Sequence, residues 1–267
     1  MTSEPKLYFS ADFVLERTKD YTLLIQLNSQ DFSFAVTYQN TLLALAQNYA
    51  LNELKNPEDL VLYLDQDYKE VIIGIVPHVF NIVPKALYKE ELVAEFARIL
   101  DVTETDKVYS QSLDTDNQVI FKNNDDILPS LVDRYTNNRV TFYHKGWLKA
   151  LQNNNPSAQN VYVDVQNGAI HIVKFLDAKL RFYNSFSYKD NSELAYFIAL
   201  VIDDLQLNVN DIKLIISGDT DVNDEIMKGL AEYFPNIKIN TIQQIGHLLN
   251  HIPPQHLLSL TALTLCA

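Results

Sequence analysis

Val161-Tyr162-Val163-Asp164-Val165, the turn Gln166-Asn167-Gly168, and the run Ala169-Ile170-His171-Ile172-Val173-Lys174-Phe175-Leu176 set the fold. β-branched and aromatic residues on either side of a glycine-bearing turn read as two strands of a hairpin. A second turn, Asp177-Ala178, leads into residues 179–186 and completes an antiparallel meander. The same pattern stands earlier. Thr22-Leu23-Leu24-Ile25-Gln26-Leu27 precedes the polar turn Asn28-Ser29-Gln30-Asp31. Phe32, Phe34, Val36 and Tyr38 then alternate with Ser33, Ala35 and Thr37, and Gln39-Asn40 turns into residues 41–46. The first turns lie 137 residues apart (Gln30 to Asn167) and the second turns 138 (Gln39 to Asp177). Two landmarks at nearly one offset suggest a duplicated unit.

Helices follow each meander. Leu194, Phe197, Ile198, Val201, Ile202 and Leu205 make one apolar stripe, with Asp190 and Glu193 placed as a capping box. Residues 213–217 read as a buried strand and Gly218-Asp219-Thr220-Asp221 as a turn. A helix is expected over 222–234, with Val222, Ile226, Leu230 and Phe234 on one face. A short strand at 237–239 and a last helix after Pro253-Pro254 complete the half. The first half reads as a weak helix over 57–65 and strands at 71–76 and 79–83, parted by Pro77. After these come a helix over 90–100, a hairpin over 108–121, a helix over 127–135, a strand at 139–143 and a helix over 146–153. Strands alternating with helices, together with hairpins, predict an α/β fold of mixed sheets flanked by helices. The polar stretch 152–157 is the linker candidate. Two domains are expected, 1–143 and 144–267, with the boundary between 140 and 158.

Of 267 residues, 47% are hydrophobic and 21% charged, a globular composition. The net charge is −13, of which residues 1–143 carry −10 and 144–267 carry −3. So acidic a surface repels phosphate backbones and anionic lipids, which argues against nucleic-acid and membrane partners. One cysteine, Cys266, gives no intrachain disulfide. The first residues lack the basic and apolar segments of a signal peptide, and no apolar run approaches a membrane span. A cytoplasmic protein is the expectation.

A repeated meander-plus-helices unit resembles the actin-like ATPase superfamily, whose halves are each RNase H-like. The chain as a whole, with stretches such as Ile73-Gly74-Ile75-Val76-Pro77 and its Cys266 ending, is similar to the bacterial domain-of-unknown-function family 3822. An actin-like fold is attributed to that family and no activity is assigned to it. The resemblance therefore implies duplicated RNase H-like domains in an actin-like arrangement, and no function. Nucleotide-binding members of the superfamily hold phosphates in two hairpins, each with Asp-x-Gly near its turn, and make room for the nucleoside with Gly-Gly after a later strand. Glycine lets backbone N–H groups approach phosphate, and the aspartate organises a divalent ion. Here Leu27-Asn28-Ser29-Gln30-Asp31 has neither the glycine nor an acid closing its first strand. Asp164 and Gly168 are present at a wider spacing, and Ile216-Ser217-Gly218-Asp219 keeps one glycine of the pair.

Other constellations have two readings each. Asp164 shares a strand face with Tyr162 and Gln166. It is either a metal- or phosphate-site carboxylate or a strand-end acid bonded to its own turn. Asp164, Glu193 and Asp219 could mimic an RNase H-type metal set, but Glu193 has a capping role available and the acidity disfavours such a substrate. His247 and His251, at i, i+4 and near His256, are spaced for a shared metal or are surface histidines. Ser217-Gly218 lacks the preceding glycine of a nucleophile elbow, and His78 and His171 complete no triad. Trp147 and the 15 tyrosines serve either a partner surface or core packing. The sequence thus favours a non-catalytic binding or scaffold protein with a degenerate nucleotide site and a protein partner. No catalytic or metal residues are named and no cofactor is expected. The alternative is an ATPase or kinase-like enzyme that binds Mg-ATP through Asp164, Gly168 and Gly218.

Overall fold

The computed structural model describes residues 4–124, 126–166, 168–247, 249 and 252–267. The chain folds as two compact units. One holds Glu4–Trp147 with Ile245–Leu249 and Leu260–Ala267; the other holds Leu148–Gln244 with Asn250–Ser259.

The first unit is built on strands β1 (Lys6–Phe9), β2 (Thr22–Leu27), β3 (Asp31–Tyr38), β4 (Thr41–Ala50) and β5 (Glu70–Ile75). It adds a smaller set, β6 (Phe80–Pro84), β7 (Lys107–Ser112) and β8 (Asn117–Asn123), and ends on β9 (Asn138–Phe142). Six strands form one mixed sheet in the order β1-β4-β3-β2-β5-β9. The meander is antiparallel, with Ile25 opposite Phe34, while β2 runs parallel to β5, with Ile25 beside Ile73. Leu23, Leu24, Ile25 and Leu27 are all buried, so this strand is covered on both faces. Short helices α1 (Asn52–Lys55), α2 (Val61–Leu64), α3 (Val93–Ala97) and α4 (Ile127–Arg134) complete the unit.

The smaller sheet, in the order β6-β8-β7, packs Val83 and Ile120 against Ala97 and Leu100. It meets the open edge of β9 through Phe80 and Phe121, which pack on Phe142, and through the Gln111 side-chain amide. Gln111 Nε2 donates to the Val140 carbonyl at 3.0 Å, and Gln111 Oε1 accepts from the Phe142 N–H at 3.0 Å. This side chain supplies the donor and acceptor that a neighbouring strand would supply.

Helix α5 (His144–Asn153) leads to the second unit, with strands β10 (Asn160–Gln166), β11 (Ala169–Leu176), β12 (Lys179–Ser187), β13 (Lys213–Gly218) and β14 (Ile237–Ile239). Its helices are α6 (Asn191–Asp204), α7 (Glu225–Ala231) and α8 (Pro254–Thr261). The sheet order is β12-β11-β10-β13-β14. A meander followed by two parallel strands is thus the plan of both large sheets. Val161, Val163 and Val165 of β10 pack with Leu194, Ile198, Val201 and Ile202 of α6 and with Leu230 of α7. The apolar stripe read from the sequence is this core.

Several elements depart from expectation. The 222–234 helix begins only at Glu225, because the Asp224 carboxylate takes the Met227 and Asp221 N–H groups and caps it there. Val222 lies outside, 65% exposed. The 57–65 helix is replaced by α1 and α2, and the 90–100 helix has 3-10 turns at both ends. Strand β1 and the 3-10 turn Leu15–Asp20 were not anticipated.

Candidate functional site

The candidate residues lie at the carboxyl ends of the parallel strands β10 and β13, where open α/β sheets bind ligands. Asp164 faces away from the α6 core. Its cross-strand neighbours are His171 on β11 and Ser217 on β13. Asp164 is fully buried. Its Oδ2 accepts the Ser259 hydroxyl of α8 at 2.7 Å and the Gln166 side-chain amide at 2.8 Å. Beside it, the Tyr183 hydroxyl and His171 Nδ1 are 3.2 Å apart. Burial, and secondarily the Asp164 carboxylate, push the Tyr183 phenol well above its ordinary value. The carboxyl group is therefore embedded in a polar cluster of its own unit.

The two glycines differ. Gly168 has φ +75°, and a Cβ there would meet nothing within 4 Å. The turn residue before it, Asn167, lies outside the described residues. Gly218 has φ +92°, and a Cβ would fall 1.9 Å from the Val165 carbonyl oxygen. That carbonyl also accepts the Asp219 N–H at 2.7 Å. The close backbone approach at Gly218 is thus made to Val165, on the neighbouring strand.

Helix α8 clasps the loop that follows. Gln255 Nε2 donates to the Thr220 carbonyl at 3.3 Å and to Asp221 Oδ1 at 3.1 Å. His256 Nε2 lies 3.2 Å from the same carbonyl and 3.3 Å from Asp221 Oδ1. Ser259 and Gln255 were missed by sequence reasoning, and His256, grouped there with His247 and His251, lies instead against the Thr220 carbonyl and Asp221. The signal available was the polar side chains Gln255, His256, Ser259 and Thr261 among the leucines of α8, but nothing in the sequence says what they touch.

In the first unit, the hairpin 27–31 is tied by its own groups. Asn28 N–H donates to the Asp31 carbonyl, and Asn28 Nδ2 donates to Asp31 Oδ1 at 2.6 Å. The hollow beside it, about 80 Å³, is lined by Ser29, His78, Asp106 and Lys122 among others. Typical small-molecule sites are several times larger. A wider depression of about 690 Å³ lies by Thr22 and Lys69, at the amino ends of β2 and β5, the wrong end of a parallel pair for a ligand site.

Glu193 caps α6. Its Oε2 accepts the Lys189 N–H at 2.9 Å, while Asp190 accepts from Ser192 and Glu193. Among the described residues no three His, Cys, Asp or Glu side chains gather as a metal site. His251 lies outside the described residues. His247 bonds through its main chain to Asn40 and Leu42. Trp147 is fully buried. No helix among the described residues is long and apolar enough to cross a membrane.

Comparison with known proteins places this geometry. The chain belongs to the family described as protein of unknown function DUF3822, whose pattern matches residues 10–237. A comparison with functionally curated proteins gives no match. A Bacteroides thetaiotaomicron protein with an actin-like ATPase fold and unknown function superposes with a TM-score of 0.75 at 20% identity. The alignment covers 94% of this chain and 98% of that one. A PilM-PilN type IV pilus biogenesis complex gives 0.67 at 8% identity, over 92% and 98%. The ethanolamine utilization protein EutJ from Carboxydothermus hydrogenoformans gives 0.55 at 9%, over 92% and 90%. The fold is actin-like.

Proposed function

We propose that this member of an actin-like family is a non-catalytic binding or scaffold protein whose nucleotide site has decayed from a duplicated RNase H-like ancestor. The observation that carries the reading is the closure of Asp164. A carboxylate that organises a metal and its waters must face solvent or ligand. Here it is fully buried and bonded to Ser259 and Gln166. Gly218 spends its close approach on Val165, and the hairpin 27–31 spends donors on itself. The function that remains to such a fold is to hold a protein partner, as PilM and PilN are held in their complex. A cytoplasmic setting goes with it.

The second reading, a nucleotide-binding enzyme of the same superfamily using Asp164, Gly168 and Gly218, is favoured by one observation. Gly168 has a left-handed backbone, and a Cβ there would meet nothing within 4 Å, which suits a residue of a phosphate cradle. Thermal unfolding with and without millimolar Mg-ATP decides between them, since a ligand that binds only the native state raises the melting temperature. No shift is expected. A rise that Asp164→Ala abolishes would replace the scaffold reading with the enzymatic one.

A further inference from the structure

Two glycines of the first unit stand where the end of the chain takes up the space of a side chain. Gly74 lies inside β5, between β2 and β9. A Cβ there would fall 2.8 Å from Tyr143 Cδ2 and 2.9 Å from Leu263 Cδ2. Glycine within a strand weakens it and marks a close approach by another part of the chain. Gly146 lies in the first turn of α5, where glycine is a poor helix former. A Cβ there would fall 2.6 Å from the Ala262 carbonyl carbon and 2.9 Å from the Leu263 nitrogen. Neither obstacle steps aside easily. Tyr143 is buried, its hydroxyl donates to Gln26 Oε1 at 3.0 Å, and its N–H donates to the Ile75 carbonyl at 2.9 Å. At Gly146 the obstacle is main chain.

The occupant is the last stretch of the sequence, Leu260-Thr261-Ala262-Leu263-Thr264-Leu265-Cys266-Ala267, which has no charged side chain. It finishes α8 and continues as a 3-10 turn, Ala262–Cys266. The Thr264 hydroxyl donates to the Thr261 carbonyl at 2.7 Å. Leu260, Thr261, Ala262 and Leu263 are buried, the last two completely. Terminal residues are ordinarily the first to fray, yet these lie in a core. The chain leaves the first unit after Trp147 and supplies Leu260–Ala267 to it only at the end.

We infer that residues 260–267 are the closing piece of the first unit, so that their release from the Gly74–Gly146 socket and the opening of β5 are one event. The physical reason is that the segment fills space that β5 and α5 have given up side chains to provide. Its departure leaves that space empty beside Tyr143 and removes the leucine packed over Gly74. Groups whose burial depends on one another open together, as one cooperative unit of stability. The first unit therefore closes only when the whole chain has been made, although residues 4–147 are made first. This inference goes beyond the scaffold reading and does not depend on whether nucleotide binds.

Hydrogen exchange of the full chain, read by mass spectrometry on peptides covering β5 and residues 260–267, tests it, with circular dichroism to check the fold of each variant. In the wild-type chain the slowest amides of the two peptides should be protected to a similar degree. Gly146→Ala should speed both by about tenfold or more, in step. Leu263→Ala, which only removes atoms from the socket, should do the same and keeps the test open should Gly146→Ala fail to fold. Gly74→Ala should speed exchange less in the Leu263→Ala chain than in wild type, because one of the two walls it would strike is gone. A terminal segment that exchanges freely while β5 stays protected overturns the inference. So does a β5 indifferent to Leu263→Ala, or a Gly74→Ala effect that is the same in both chains.

Discussion

Gly218 and Gly168 share a left-handed backbone and differ in what surrounds them, so the same substitution should part them. Gly168→Ala meets only the conformational cost, about 1 kcal/mol, because nothing lies within 4 Å of the new methyl. Gly218→Ala must also displace the Val165 carbonyl and should lose more than about 3 kcal/mol. Urea denaturation of the two variants measures the difference, and equal losses would show that the β10–β13 approach carries no weight. Ser259→Ala removes one donor to the buried Asp164 carboxyl and should destabilise by about 1–3 kcal/mol. If it is neutral, Asp164 is not held by α8. The sequence placed Asp164 on the correct strand face, because alternation is local. It could not show the burial, because Ser259 is distant in sequence and arrives only through tertiary folding.

At the scale of elements, strong local signals were legible and competing ones were not. The Asp190–Glu193 box and the α6 stripe agree with each other, and the helix stands where they put it. For α7 the apolar period begins at Val222, but Asp224 offers its carboxylate to two N–H groups. The cap wins because an unpaired helix-start donor costs more than leaving one valine exposed. Asp224→Ala should therefore cost about 1 kcal/mol in urea, and a neutral result would mean that the hydrophobic face sets the start. Strand β1 was invisible because Lys6-Leu7-Tyr8-Phe9, exposed at both ends and half-buried between, is too short to carry a period. The Gln111 clamp was invisible because glutamine on a strand reads as a surface residue. Gln111→Ala should accelerate hydrogen exchange at the Phe142 N–H, the donor it now receives. Unchanged protection there would mean that the small sheet is held by its apolar face alone.

At the scale of the whole molecule, the aromatic content read from the sequence becomes a dependence on pH. Tyr68 and Tyr135 are buried and donate their hydroxyls to the carbonyls of Tyr63 and Leu64. Burial first, reinforced by Tyr135 and Tyr63, pushes the Tyr68 phenol far above its ordinary 10.0. Burial likewise pushes Tyr135 up to about 12, against a smaller opposing pull from Arg134. Tyr183 is raised by burial in the other unit. A phenol raised by folding keeps its proton in the native state to higher pH than in the unfolded chain. The stability linked to it is thus whole below pH 10.0 and falls as pH climbs toward the folded value. Lys174 works in the opposite sense. Its ammonium is buried against the carbonyls of Ala158 and Asn160, and desolvation lowers it from 10.5. The native state releases that proton first, so the cost of burying the charge fades as pH rises toward 10.5. Burial also raises Tyr49, Tyr63 and Tyr188, so one lysine against six tyrosines leaves a net loss. Urea midpoints should hold or rise slightly up to pH 10 and then drop steeply. Tyr135→Phe should be less stable than wild type at pH 8, by about 1 kcal/mol for the lost hydrogen bond. Its midpoint should fall less between pH 10 and 12, because a phenol that folding raises by one pH unit ties about 1.4 kcal/mol of stability to its proton. Parallel curves for the two proteins would mean that Tyr135 ionises in the native state as readily as in the unfolded chain.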